Sequence, residues 1–233
     1  MNRDECLSIL KKTQIFEELP EDELFKIFEN GKILNYAKDQ PILLEDATSG
    51  NAIYVILKGK VKVVKLGENG QEALLNILTE NEFFGEMAAL DGLSRSATII
   101  AIENTEIFIL SREDFLNLIK KYPEVAFSLL KILAVRLRQA NARIKALTLK
   151  DSIQKVAAVL AELAEFKGKF VGQSAIIEKI PEKSELAKMV DISQETINRA
   201  FQLFYQNGLV ENEDDKIIIK DYSKFKELYV GNF

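Results

Sequence analysis

The sequence predicts an α+β fold: an N-terminal antiparallel β jelly roll or barrel, a long helix, and a C-terminal helix pair followed by a β-hairpin. Three observations predict it. Short, β-branched apolar runs separated by turn signals occupy residues 42–110. An apolar repeat with alternating spacings of four and three runs from Ala126 to Leu147. Helix, short turn, helix and two alternating strands follow one another between Ser184 and Asp221.

Composition narrows the chemistry. A chain of 233 residues holds one large domain or two smaller ones. It is 47% apolar, so a core forms without staples. Cys6 is the single cysteine, which leaves no disulfide framework and no thiolate cluster. Histidine is absent, which removes imidazole zinc sites, His-ligated haem and Ser-His triads. No paired-carboxylate motif, nucleophile motif or metal cluster is visible, so the chain reads as a non-enzyme with no metal. The first residues, MNRDECLSIL, are charged and lack a signal-peptide apolar run. No apolar run approaches the roughly 18 residues of a membrane span. A cytoplasmic protein with no membrane partner is expected. The net charge of −5 opposes nucleic-acid binding only weakly, because it says nothing of one face.

The first forty residues read as helical, with apolar residues of ECLSILKK and LPEDELFKIFENG at three- and four-residue spacing. From Ile42 the pattern turns to strands. KGKVKVVK alternates lysine and valine, as a half-exposed strand does. Asn69-Gly70 is a hairpin signal. ATIIAIENTEIFIL supplies two more strands about a Glu103-Asn104 turn. SREDFLNLIKKYP is a helix capped by Ser111, and Pro123 starts the next one.

From there Ala126, Leu130, Leu133, Leu137, Ala140, Ile144, Leu147 and Asp151 form a heptad seam, apolar at all but the last position. Two readings stand: an amphipathic helix packed on its own β domain, or a parallel two-stranded homodimer seam. The strict 3.5-residue period favours the seam. SIQKVAAVLAELAEFKG is a further helix beginning at an Asp151-Ser152 hinge. The domains are therefore residues 1–122, a dimerisation helix and hinge at 123–151, and residues 152–233.

SELAKMV reads as a short helix capped by Ser184, VDIS as a turn, and SQETINRAFQLFYQNG as a second helix capped by Ser193. GLVENEDDKIIIKD then reads as a hairpin, completing a winged helix-turn-helix. Ile197, Phe201 and Phe204 fall on the inner face of the second helix. Gln194, Glu195, Asn198 and Arg199 fall outward. In a major groove, Glu195 can accept from cytosine N4 and Arg199 can donate twice to guanine. Lys183, Ser193 and Thr196 are placed to meet phosphates. The alternative is an ordinary surface Glu-Arg pair at i and i+4. A C2 dimer with two such helices predicts palindromic double-stranded DNA with half-sites about 34 Å apart.

FFGEMAALDGLSRSAT, residues 83–98, places Gly85-Glu86 and Arg95-Ser96 inside an apolar stretch. Free N–H groups at a helical turn after Gly85, with the fork of Arg95 and the hydroxyl of Ser96, suit a phosphate. Glu86 beside that phosphate requires a ligand that also brings a hydroxyl, as a ribose does. A cyclic nucleotide has that pattern. An internal Glu86–Arg95 ion pair closing a loop is the alternative.

FFGEMAALDGLSRSAT resembles the phosphate-binding cassette of cyclic-nucleotide-binding domains. ISQETINRAFQLFYQNGLV resembles the helix-turn-helix of the CRP/FNR family of bacterial transcription regulators. The resemblance covers essentially the whole chain. It implies that Gly85, Glu86, Met87, Arg95 and Ser96 hold ribose and cyclic phosphate, and that Arg136 faces the ligand. Ala140 and Asn141 match positions where cAMP-responsive members carry hydroxyls that touch adenine, so the base half of the site departs from that pattern. The oxygen-sensing members need four cysteines and the CO-sensing members a histidine; this chain has neither set. Glu195 and Arg199 match the family's E-x-x-x-R reading pair, which implies a TGA-like half-site core. Gln194 replaces an arginine that reads an outer G, and Asp191 replaces a turn glycine. The implied protein is a homodimeric, DNA-binding transcription regulator with a sensor domain gated by a small effector, cAMP foremost, and with RNA polymerase as a further partner. Two alternatives remain: the same regulator with another effector or none, and a cyclic-nucleotide-binding module acting on a partner protein.

Overall fold

The structure is a computed structural model that describes residues 2–47, 52–67, 71–149, 151–178, 180–213 and 216–230. It comprises two compact units, residues 1–132 and 133–233. In the first, helices α1 (Arg3–Lys12) and α2 (Glu21–Asn30) precede strands β1 (Lys32–Tyr36), β2 (Pro41–Leu43), β3 (Ala52–Lys58), β4 (Lys60–Leu66), β5 (Glu72–Thr79) and β6 (Phe83–Phe84). Helix α3 (Glu86–Asp91), β7 (Thr98–Ala101), β8 (Thr105–Ser111) and α4 (Arg112–Lys121) follow.

The described strands of this unit form two antiparallel sheets, ordered β1-β8-β3-β6 and β2-β7-β4-β5. That interleaving is a jelly roll. The sheets are not closed, so the barrel alternative is corrected. Between them, Tyr54, Ile56, Phe84 and Ile107 meet Val61, Leu78 and Ile99. The alternate residues of β3, Ile53, Val55 and Leu57, are also fully buried, because α1 and α4 pack on the outer face of that strand. On β4, Val61 and Val64 are both buried although three residues apart, because the register shifts between Val63 and Val64. The proposed Asn69-Gly70 turn lies outside the described residues.

Strand β1 corrects the expectation that the first forty residues are helical. It pairs with β8 from Lys32↔Ile109 to Tyr36↔Thr105. KILNY is largely exposed and shows no alternation, so nothing local announces it; its partner lies far along the chain.

Helix α1 is closed by a capping box between Asn2 and Glu5 and buries Cys6 and Leu10. Burial pushes the Cys6 thiol up to about 11. Helix α2 buries Glu23, whose carboxylate accepts from Lys121 Nζ at 2.7 Å, Lys26 Nζ at 3.2 Å and the Tyr122 hydroxyl at 3.2 Å. The Lys121 hydrogen bond holds that carboxyl below its usual range. Ser111 caps α4, accepting from the Asp114 N–H at 3.1 Å.

Helix α5 (Pro123–Thr148) runs from the first unit into the second. At about 1.5 Å per residue it is roughly 39 Å long. Val125 and Leu129 are buried near its start. The heptad positions Leu130, Leu137 and Ile144 are 63%, 63% and 62% exposed. These three leucine and isoleucine positions face out, while Ala126 and Leu133 of the same seam are half-buried. The Leu147 side chain lies outside the described residues.

The second unit continues with α6 (Ser152–Lys167), β9 (Gly168–Val171), β10 (Ser174–Glu178), α7 (Lys183–Met189), α8 (Gln194–Gln206), β11 (Val210–Glu213), β12 (Lys216–Ile219) and α9 (Tyr222–Val230). Asp151 caps α6, accepting from the Ile153 N–H at 2.7 Å. The hairpin β11–β12 extends into a sheet ordered β11-β12-β10-β9. Strands β9 and β10 and helix α9 carry little local signal. Helix α9 docks through Phe225 edge-on to Phe204 at 5.3 Å, and the Tyr222 hydroxyl donates to Glu165 Oε1 at 2.6 Å. Among the described residues, no helix is long and apolar enough to cross a membrane.

Candidate functional sites

The residues of the cassette are positioned by a backbone reversal. Strand β6 ends at Phe84, and Gly85 turns the chain with φ +85°. A left-handed residue here admits glycine because a Cβ would lie 2.8 Å from the Ala52 carbonyl oxygen and 2.9 Å from Arg95 Nη1. Helix α3 then begins at Glu86, which is 4% exposed. Arg95 is 3% exposed. Its Nη1 donates to the Gly85 carbonyl at 3.2 Å and to the Ala52 carbonyl at 3.4 Å. Its backbone is tied to the strand side: Asp46 N–H donates to the Arg95 carbonyl at 3.0 Å, and Arg95 N–H to the Ala47 carbonyl at 3.2 Å.

The sequence reading missed Tyr54. The Arg95 guanidinium sits 5.3 Å from the centroid of its ring, which stacks on Phe84 at 5.1 Å and 5°. The cation thus lies within reach of the face of a ring that is itself held by stacking on Phe84. Burial pushes the Tyr54 phenol up, against the lowering effect of Arg95. Tyr54 lies forty-one positions before Arg95, and a tyrosine in a strand interior signals only core. Met87 is half-exposed, and the Ser96 hydroxyl donates to its sulfur at 3.8 Å. The structure thus gathers Gly85, Glu86, Met87, Arg95 and Ser96 around one turn. Arg136 and Asn141 stand apart from that group in the division of the chain: both lie on α5 within the second unit.

In the second unit, α7 and α8 are joined across Val190–Ser193, with Asp191 at φ +53°. An aspartate tolerates that left-handed region better than most residues. The expected cap of α7 is corrected: the helix starts at Lys183, with Glu182 as N-cap, and Ser184 lies inside the first turn. The Glu185 carboxylate accepts from the Glu182 N–H at 2.9 Å, which satisfies an end group that Ser184 does not reach. Ser193 caps α8, accepting from the Thr196 N–H at 3.1 Å, with the two hydroxyls 2.8 Å apart.

Ile197, Ala200, Phe201 and Phe204 bury the inner face of α8. Gln194, Glu195, Asn198 and Arg199 are exposed on the other. Arg199 Nη2 donates to Glu195 Oε1 at 3.1 Å, with side chains 73% and 82% exposed. Such a pair separates at little cost, about 0.3–0.5 kcal/mol, and both ends are available to base edges. Lys183 Nζ lies 5.3 Å from the ring centroid of Phe201, a residue of the inner face of α8. Among the described residues, no group of three or more metal-ligating side chains comes together.

A jelly roll, a long helix and a winged helix-turn-helix make a DNA-binding regulator with an effector-binding domain. Comparison with known proteins agrees. Residues 33–122 match the cyclic nucleotide-binding domain, and residues 154–228 the Crp-like helix-turn-helix domain. The chain is 30% identical to the cyclic AMP receptor protein of Thermus thermophilus over 222 residues, 95% of this chain and 99% of that protein. It is 27% identical to a CRP-like cAMP-activated global transcriptional regulator of Mycobacterium tuberculosis, over 91% of this chain and 95% of that one. A solved structure of a CooA mutant from Carboxydothermus hydrogenoformans has the same fold, with a TM-score of 0.71 at 23% identity, covering 88% of this chain and 90% of that one. The chain belongs to the CRP/FNR family of transcription regulators and is not an enzyme.

Proposed function

We propose that the chain acts as a cytoplasmic homodimer that binds palindromic DNA when a cyclic nucleotide, cAMP foremost, occupies the cassette. One observation carries the effector reading: a buried arginine, oriented by the Gly85 and Ala52 carbonyls and by the Tyr54 ring, beside a backbone that only glycine allows so close. A phosphate would take the fork of Arg95 and the Ser96 hydroxyl, and Glu86 would accept from a ribose hydroxyl. The two relatives of Thermus and Mycobacterium are named for cAMP, which supports the same ligand. Arg136 and Asn141 would contribute from α5.

Residues 1–122 serve as the effector domain, 123–151 as the dimerisation helix and hinge, and 152–233 as the DNA-binding domain. The outward stripe of Leu130, Leu137 and Ile144 supports the dimer. On α8, Gln194, Glu195, Asn198 and Arg199 read bases, while Lys183, Ser193 and Thr196 meet phosphates. RNA polymerase is the further partner. An effector shifts this equilibrium only by its preference for the DNA-competent state.

Calorimetry with cAMP, and cGMP in parallel, tests the effector. Micromolar binding lost in Arg95→Leu, with the dimer intact, is the expected result. Equal binding by that variant defeats the cassette reading. DNA binding that needs no nucleotide favours the regulator with another effector or none.

A further inference from the structure

The sheet that carries the wing keeps its lysines in ion pairs. Lys169 Nζ on β9 lies 3.3 Å from Glu178 Oε1 on β10, and Lys216 Nζ on β12 lies 3.8 Å from the same oxygen. Lys220, just after β12, pairs with Glu211 on β11. The three lysines thus lie against two carboxylates, Glu178 being shared, and Glu213 on β11 brings the acidic side chains to three as well. From Pro181 to Lys220 the sequence holds five basic and eight acidic side chains. Between Glu213 and Lys216 the sequence adds two further carboxylates, Asp214 and Asp215.

Sequence-independent affinity for DNA comes from lysines and arginines that displace counterions at phosphates. A lysine that leaves its carboxylate for a phosphate leaves that carboxylate facing the same polyanion. The net gain is close to nothing, even though exposed pairs are weak and open readily. Lys169 first, and Lys216 after it, hold the Glu178 carboxyl below its usual range, so it stays charged at neutral pH.

We infer that this DNA-binding unit suppresses sequence-independent attraction to DNA: its wing sheet is neutralised in place, and discrimination is left to the base-reading face of α8. The inference rests on the reading of α8 as the DNA helix. The partner it selects is a duplex with the matching bases, against a background of mixed-sequence duplex.

Fluorescence anisotropy tests it, using a random-sequence duplex of about 30 base pairs and a selected palindrome, with and without cAMP, across roughly 50–200 mM salt. The unsubstituted protein should bind the random duplex weakly, with a log–log salt slope shallower than about −3. The double variant Glu178→Gln with Glu211→Gln should bind the random duplex roughly tenfold tighter at low salt, steepen the slope by about 2, and lose palindrome preference by a similar factor. An unchanged double variant overturns the inference, as does a wild-type slope near −6. Glu17→Gln with Glu113→Gln, both exposed in the first unit, is the control. An equal shift there would make the effect one of total charge and overturn the assignment to the wing. Palindrome binding with an unresponsive double variant sinks this inference alone. Failure to hold either duplex sinks the DNA reading of α8 and this inference with it.

Discussion

Single residues set the terms of both sites. Gly85 is the tightest. A side chain there must adopt φ +85° and push against the Ala52 carbonyl, a strain of about 1–3 kcal/mol. Gly85→Ala should lower the urea stability of the first unit by that amount and abolish cAMP binding in calorimetry, because the new methyl also meets Arg95. Glu23 acts through charge. Its folded-state pKa is lowered by Lys121, so its contribution is present above the unfolded value near 4.5 and fades as pH falls through the folded value. Glu23→Gln should therefore cost about 1 kcal/mol at pH 7 in urea unfolding, and the gap to the unsubstituted protein should close below about pH 4.5.

At the scale of elements, α8 is where sequence and structure agree most directly. Its Ser193 cap and its apolar face are both local signals. Ser193→Ala removes the cap and should cost about 1 kcal/mol in the unfolding of the second unit. Glu195→Ala should leave the helix folded and relax base choice at one position of each half-site, read by selection from a randomised duplex. Strand β1 and helix α9 show the opposite case. Lys32–Tyr36 becomes a strand only because β8 lies beside it, and Tyr222–Val230 docks only because Phe204 and Glu165 wait for it. Neither partner is visible within a local window. Ser184 failed as a cap for a related reason: the reciprocal bond from Glu185 to the N–H of Glu182 starts the helix earlier. In the cassette, Gly85 and Arg95 were legible because their residue types are rare inside apolar runs. Tyr54 was not, because an aromatic in a strand interior is the commonplace choice.

The whole molecule is two compact units threaded by α5. Its heptad stripe was legible from period alone, and the exposure of Leu130, Leu137 and Ile144 gives that period a physical meaning. An apolar line of that length left in water favours a second copy. In the proposed homodimer, Leu137→Glu should convert dimer to monomer in sedimentation and weaken palindrome binding at least tenfold, while the fold by circular dichroism stays unchanged. Cys6 has a consequence at this scale. The one sulfhydryl in the sequence is sealed in the core with its proton held tightly, so maleimides and methanethiosulfonates find no native target. Gln202→Cys, at an exposed position of α8, would carry the lone spin label of the chain. Pulsed dipolar spectroscopy would then read the separation between the two copies of α8 in the proposed homodimer, with and without cAMP, against a silent background.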